Sequence, residues 1–192
     1  NKYNIERLAD KLCNKDRASH IVDALHKYLA DEYTCRALCF CVNKKHADFM
    51  AEQLCLYGFN AQSLTSDTPT EQRKQLANQL REGSIHYLCV VDIFNEGVDI
   101  PEVDTVLFLR PTDSLTIFLQ QLGRGLRLSV GKTELTVLDF VAQANRKYDF
   151  ASRFRALTLN PEKNIKRQIE EGFTFLPHGC SIVMEKKARQ YI

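Results

Sequence analysis

Five short apolar runs constrain this chain most: 37–42, 61–64, 87–91, 105–109 and 135–140. Most are nearly continuous in Val, Leu, Phe and Cys. A strand with one wet face alternates apolar and polar residues, whereas a run apolar at every position suits a strand covered on both faces of a parallel sheet. Between the runs lie helical patterns joined by short connections. Strand–helix alternation of this kind predicts an α/β fold, an open and mainly parallel sheet with helices on both faces. In such sheets ligands sit at the carboxyl ends of the strands.

The helices carry readable start and stop signals. Asn43 is the predicted cap of a helix whose apolar stripe is Ala47, Met50, Ala51 and Leu54, with Gly58 as its end. Thr68-Pro69-Thr70-Glu71 reads as a capping box with Pro at the first helical position. That helix buries Leu76, Ala77 and Leu80, and Gly83 closes it. Asp113 or Ser114 is expected to open a helix with Leu115, Phe118, Leu119 and Leu122 on one side. Before the first strand, residues 16–31 read as a helix with the stripe Ile21, Val22, Leu25 and Leu29.

Composition removes several classes. A chain that is 44% hydrophobic with a formal charge of only +2 is not a disordered one. No apolar run approaches the ~20 residues of a membrane helix, so no membrane partner and a cytoplasmic location are expected. The chain starts Asn1-Lys2-Tyr3, without Met or a signal-peptide pattern, and is expected to be a fragment. Seven cysteines make an odd set without a C-x-x-C pair. Cys39, Cys41 and Cys89 fall inside apolar runs and read as small buried hydrophobes, and no metal site is expected. Cys180 beside His178 lacks two further ligands.

Two segments carry chemistry. Gln120-Gln121-Leu122-Gly123-Arg124-Gly125-Leu126-Arg127 places two Arg three apart, on one side of a helical turn, with glycines that allow close approach. A guanidinium pair held this way suits a polyphosphate, because each fork bonds phosphate oxygens bidentately; a solvated basic turn is the plain alternative. Val91-Asp92-Ile93-Phe94-Asn95-Glu96-Gly97-Val98-Asp99-Ile100-Pro101 directly follows a buried run. Its two carboxylates suit a hydroxyl or a cation, or simply a polar loop capping the next element.

Taken together, these segments resemble the second RecA-like domain of superfamily 2 helicases. Residues 36–54 look like the strand and helix of motif IV, 92–101 like motif V, and Gln120-x-x-Gly123-Arg124-x-x-Arg127 like motif VI, in the family's order. The Asn-Glu-Gly-Val-Asp-Ile-Pro string is similar to DNA-acting members, such as the nucleotide-excision-repair helicase subunit and type III restriction subunits. DEAD-box RNA helicases usually have Arg at the place of Glu96 and His-Arg at the place of Gln120-Gln121. Beyond the core, 148–157 and 173–180 resemble a segment found after the helicase core in bacterial proteins that often carry a phospholipase-D-like nuclease domain.

The resemblance implies a mechanism. ATP would bind between two RecA-like domains, the first supplying the Walker A loop and the acidic pair that holds Mg²⁺. Neither motif occurs in this chain: Gly131-Lys132-Thr133 lacks the upstream Gly and precedes a strand. The chain would thus supply half of an ATP hydrolase and be inactive alone. Arg124 and Arg127 would be arginine fingers, Gln120 would position the phosphate or the attacking water, and Gly97, Asp99 and Gly123 would meet the nucleotide. Val91 and Asp92 stand where the family has a Thr/Ser-Asp pair that couples nucleotide to the nucleic-acid strand, and Val91 has no hydroxyl to donate. Nucleic acid, DNA rather than RNA, would meet Asn43, Lys44, Lys45, Thr65 and Ser66 through phosphates. A helix cap at Asn43 and a solvated turn at Lys44 and Lys45 are the plain readings of those residues.

Three regions are expected: a helical lead-in over 1–35, the helicase C-terminal RecA-like domain over 36–145, and a basic extension over 146–192. The extension carries ten basic and five acidic residues, a charge of +5, against −3 for 1–145. The expected partners are nucleic acid, an N-terminal RecA-like domain of the same polypeptide, and a nuclease domain. The alternative is a catalytically silent RecA-like module that binds nucleic acid or protein. A free-standing dinucleotide enzyme is excluded by the lack of a Gly-rich loop after the first run, where Val42-Asn43-Lys44-Lys45 stands.

Overall fold

The computed structural model describes residues 4–91, 100–111, 129 and 132–140. The chain divides into two compact units, Asn1–Thr112 with Thr116–Phe140, and Asp113–Leu115 with Val141–Ile192; all described residues belong to the first.

The five runs form the strands β1 (Ala37–Phe40), β2 (Ala61–Leu64), β3 (Tyr87–Val90), β4 (Thr105–Phe108) and β5 (Thr136–Asp139). They make one sheet in the order β2-β3-β1-β4-β5, every pair parallel. The continuous apolar runs β1, β3 and β4 are buried at every position, whereas β5, at an edge, is only half covered. In register, Cys39 lies between Cys89 and Leu107.

Residues two apart share a face of the sheet. Ala37, Cys39, Cys41, Tyr87, Cys89, Leu107 and Leu109 pack with the buried stripes of α2 (Lys15–Tyr28) and α3 (Lys44–Leu56). The opposite face holds Phe40 and Phe108, whose rings stack at 5.6 Å. The chain moves outward from β1 to β2 and back from β2 to β3. Right-handed connections therefore put α3 and α4 (Thr70–Glu82) on opposite faces. Each large apolar side chain withdrawn from water here contributes about 1.5–3 kcal/mol.

Most boundary signals behave as expected. Asn43 accepts from the His46 amide at 3.0 Å to open α3, and Gly58 follows its end at φ 88°. Gly83 ends α4 in the left-handed region at φ 80°. Two expectations are adjusted. The helix read over 16–31 is α2, Lys15–Tyr28, and a further helix, α1 (Ile5–Leu12), precedes it; Asn14 turns extended between them and accepts from the Asp16 amide at 2.8 Å. Leu29 is the extended residue after α2, so the helix stops at Tyr28. Nor does Thr68 cap α4. Its hydroxyl accepts from the Thr65 amide at 3.0 Å, inside the preceding loop, and Pro69 is the residue before the helix, without a side-chain cap. The helix expected after Asp113 lies outside the described residues.

Cys39, Cys41 and Cys89 are fully buried, Cys13 is half-buried and Cys55 exposed; all are free thiols, and Cys180 lies outside the described residues. The hydrogen bond with Cys89, followed by burial, pushes the Cys39 thiol well above its ordinary range, and burial followed by the Cys89 bond does the same to Cys41, so they act as packing groups. Among the described residues no helix is long and apolar enough to cross a membrane, and no group of His, Cys, Asp or Glu is placed to hold a metal ion.

Candidate functional site

Because all strands are parallel, their carboxyl ends meet at one edge, and the loops beginning at Cys41, Thr65, Val91 and Leu109 leave from it. The connection from β1 leads toward β2 on one side of the sheet, and that from β4 leads to β5 on the other. The neighbours β1 and β4 thus flank a topological switch point, where open α/β sheets form a crevice.

Two side chains finish that crevice. Leu109 donates its amide to the Phe40 carbonyl at 3.1 Å, continuing the ladder one residue past β4. The next rung would join the Val42 amide to the Leu109 carbonyl, but Val42 donates to His46 Nδ1 at 3.3 Å. The freed Leu109 carbonyl accepts from Arg17 of α2, at 3.5 Å, and the same guanidinium nitrogen donates to the Phe140 carbonyl at 3.2 Å. His46 is fully buried, and burial followed by the Arg17 charge lowers its pKa to about 4. It is therefore a neutral ring, and with Nδ1 accepting, Nε2 carries the proton. Among the described residues neither His46 Nε2 nor Arg17 Nε has an acceptor, and burial lowers the Arg17 pKa.

The residues expected to meet nucleic acid are brought together here. The Asn43 side chain is committed to capping α3, which leaves the amides of Lys44 and Lys45 without intrahelical acceptors. Lys44 Nζ pairs with Asp67 Oδ1 at 2.5 Å, joining the loop after β1 to the loop after β2, and Lys45 Nζ pairs with Asp10 of α1 at 2.7 Å. Thr65 is buried and its hydroxyl accepts from the Asp67 amide, while Ser66 is exposed. Arg73 shapes that loop by donating to the carbonyls of Thr68 at 2.6 Å and Ser66 at 2.7 Å. Val91 is half-buried at the end of β3 and packs against the core. Asp92, Gly97, Asp99, Gln120, Gly123, Arg124 and Arg127 lie outside the described residues.

Arg17, His46, Asp67 and Arg73 were not singled out by the sequence reading. For two of them a signal existed. Arg17 precedes Ile21 and Leu25 at spacings of four, and His46 precedes Met50 and Leu54 likewise. Polar residues in line with a buried stripe are candidates for a buried polar role.

The family "Helicase conserved C-terminal domain" matches residues 20–129. The chain is 33% identical over 108 residues to the putative ATP-dependent helicase IRC3 of Saccharomyces cerevisiae, covering 56% of this chain and 16% of that protein. It is 33% identical over 141 residues to UvrABC system protein B of Kosmotoga olearia, covering 68% of this chain and 21% of that protein. It is 32% identical over 120 residues to nucleolar RNA helicase 2 of Rattus norvegicus, covering 62% and 15%. The chain thus spans a quarter or less of these relatives. Among solved structures, the yeast DEAD-box splicing factor Prp28 aligns at a TM-score of 0.65 and 17% identity, covering 93% of this chain and 34% of that one. The E. coli DEAD-box protein SrmB, bound to regulator of ribonuclease activity A, aligns at 0.56 and 22% identity, covering 67% and 72%. These structural likenesses concern the RecA-like fold alone.

Proposed function

Since the chain belongs to the helicase conserved C-terminal domain family of superfamily 2 helicases, we propose that it is the second RecA-like domain of an ATP-dependent helicase or DNA translocase. One observation carries this reading: both motif-like strings, 92–101 and 120–127, fall inside the matched span 20–129, and the described residues of that span form a parallel sheet with a switch-point crevice. ATP supplies the phosphoryl group, with Mg²⁺ held by the carboxylates of a preceding domain. This chain's part is to place the guanidinium groups of Arg124 and Arg127 against charge developing on the phosphate, with Gln120 orienting the phosphate or water and Gly97, Asp99 and Gly123 beside the nucleotide.

Phosphates of the bound strand would lie along the carboxyl edge, over Lys44, the open amides of the first turn of α3, Thr65, Ser66, Val91 and Asp92. DNA is the preferred strand in this reading, supported by the Glu96-Gly97 form. The extension over 146–192 and its tie to a nuclease domain, the likeness to type III restriction subunits and a cytoplasmic location belong to the same proposal.

Arg124→Ala or Arg127→Ala in the full polypeptide is expected to lower ATP turnover by roughly 10³–10⁵-fold, read in a nucleic-acid-stimulated phosphate-release assay. Turnover near wild type overturns the finger assignment. The +5 extension favours a second reading, a silent module binding nucleic acid; strand binding with steep salt dependence but no ATP hydrolysis by the full polypeptide would select it.

A further inference from the structure

The break in the β1–β4 ladder is a built feature. Cys41 and Leu109 stand next in register after Phe40 and Phe108, and the first bond of their rung, Leu109 N–H to Phe40 C=O, is present. Only the second is missing, and both groups it would join are taken by side chains from α2 and α3. A frayed strand end would turn those groups to water. Here a fully buried imidazole and the guanidinium of half-buried Arg17 replace the bond, and among the described residues one nitrogen of each has no acceptor. Such unpaired buried donors persist only where the surrounding packing holds them in place.

The position matters because Leu109 is the last residue before Arg110-Pro111 leads into 112–128, the stretch containing Gln120, Arg124 and Arg127. Arg17 holds the carbonyl on that exit and, with the same nitrogen, the carbonyl of Phe140 at the end of β5. We propose that Arg17 and His46 form a polar wedge that keeps β1 and β4 apart at the crevice and sets the direction of the chain leaving β4. On this proposal, which rests on the arginine-finger reading, Arg17 is a positioning residue for Arg124 and Arg127.

The wedge is tested in the full polypeptide by steady-state ATP hydrolysis with a single-stranded oligonucleotide present. Arg17→Met is expected to lower kcat by about 10²-fold, the effect of misplacing catalytic groups by about 1 Å, with KM for ATP within about twofold of wild type. Arg17→Lys keeps a cation that can donate to both carbonyls and is expected to recover about tenfold of that loss. His46→Leu removes the acceptor for the Val42 amide, whereas His46→Asn supplies a side-chain amide oxygen in place of Nδ1; the Leu variant should lose kcat and the Asn variant keep most of it. If Arg17→Met does not fold, the His46 pair decides, and equal kcat in its two variants overturns the wedge. A wild-type kcat in folded Arg17→Met while Arg124→Ala abolishes turnover overturns the wedge and leaves the finger reading standing. Wild-type turnover in Arg124→Ala overturns both.

Discussion

The same five strands end in two different ways. At their amino ends the chain is stitched by the backbone. Ala37 donates to the His86 carbonyl at 2.8 Å, Asp104 and Thr105 donate to the Arg36 carbonyl, and Thr136 donates to the Asp104 carbonyl at 2.8 Å. Asp104 Oδ1 accepts from the Arg36 amide and the Thr105 hydroxyl, both at 2.9 Å, and Arg36 Nε reaches the Arg81 carbonyl at 3.0 Å. At the carboxyl ends the ladder opens between β1 and β4, and side chains complete it. The amino edge is joined by backbone bonds and by Asp104, although His86 Nδ1 there has no partner among the described residues. At the carboxyl edge, among the described residues, His46 Nε2 and Arg17 Nε are without acceptors, and the exposed, ion-paired Lys44 and Lys45 stand in the first turn of α3. A parallel sheet thus separates holding from working: rigid elements are secured at one edge and present loops at the other.

The strongest way to break this contrast is through pH. His46 has a folded pKa of about 4 against an ordinary 6.5, so the unfolded chain takes up the proton first. Stability is then full above about pH 6.5 and falls by roughly 3 kcal/mol as pH drops to about 4. Urea unfolding midpoints at neutral and acid pH should show this slope in the wild type and a shallower one in His46→Asn. His86, also lowered by burial, contributes in the same direction in both proteins, so only their difference counts. An identical slope would mean that His46 is not held neutral by the fold.

Next in size is Asp104→Ala, which strips an acceptor from two donors of the amino edge and should cost about 1–3 kcal/mol in denaturant unfolding. Oligonucleotide affinity of the folded protein should not change. A loss of binding without a loss of stability would reverse the roles given to the two edges. Asn43→Ala removes the cap of α3 and should cost about 1 kcal/mol, but at the carboxyl edge, so binding is expected to weaken as the first turn loosens. Lys44→Ala should have the smallest effect on stability, below about 1 kcal/mol, because its pair with Asp67 is exposed. Its mark should appear in binding, as a salt dependence shallower by about one phosphate contact. An unchanged salt slope would remove Lys44 from the interface.

Much of the fold could be read in advance because its signals are local. Each β-run is bounded by turn residues. Asn43, Gly58 and Gly83 act through their own backbone angles or nearest amides. Errors arose where two local partners compete for one group. Thr68 suits an N-cap, yet its hydroxyl serves Thr65 behind it, and Arg73 holds the loop in that shape. Asn14 caps α2 two residues after α1 ends at Leu12, a second helix within the helical lead-in. Lys44, Thr65 and Ser66 were expected at the carboxyl edge because they lie a few residues after strands, and the structure places them there. Arg17 and His46 were passed over because each belongs to a helix, and the carbonyl that Arg17 holds lies 92 residues away.

By itself the sequence determined the strand inventory, the parallel arrangement, the apolar faces of the helices and the family likeness. All of these follow from side-chain periodicity and short strings, which need no knowledge of distant neighbours. Only the tertiary structure decided that β1 lies between β3 and β4, and therefore that its carboxyl end borders the switch point. It alone joined α2 to the ends of β4 and β5 through Arg17. The physical reason is that a strand's edges are chemically alike. Which amide meets which carbonyl, and where a side chain must replace one, depends on packing that brings remote segments together.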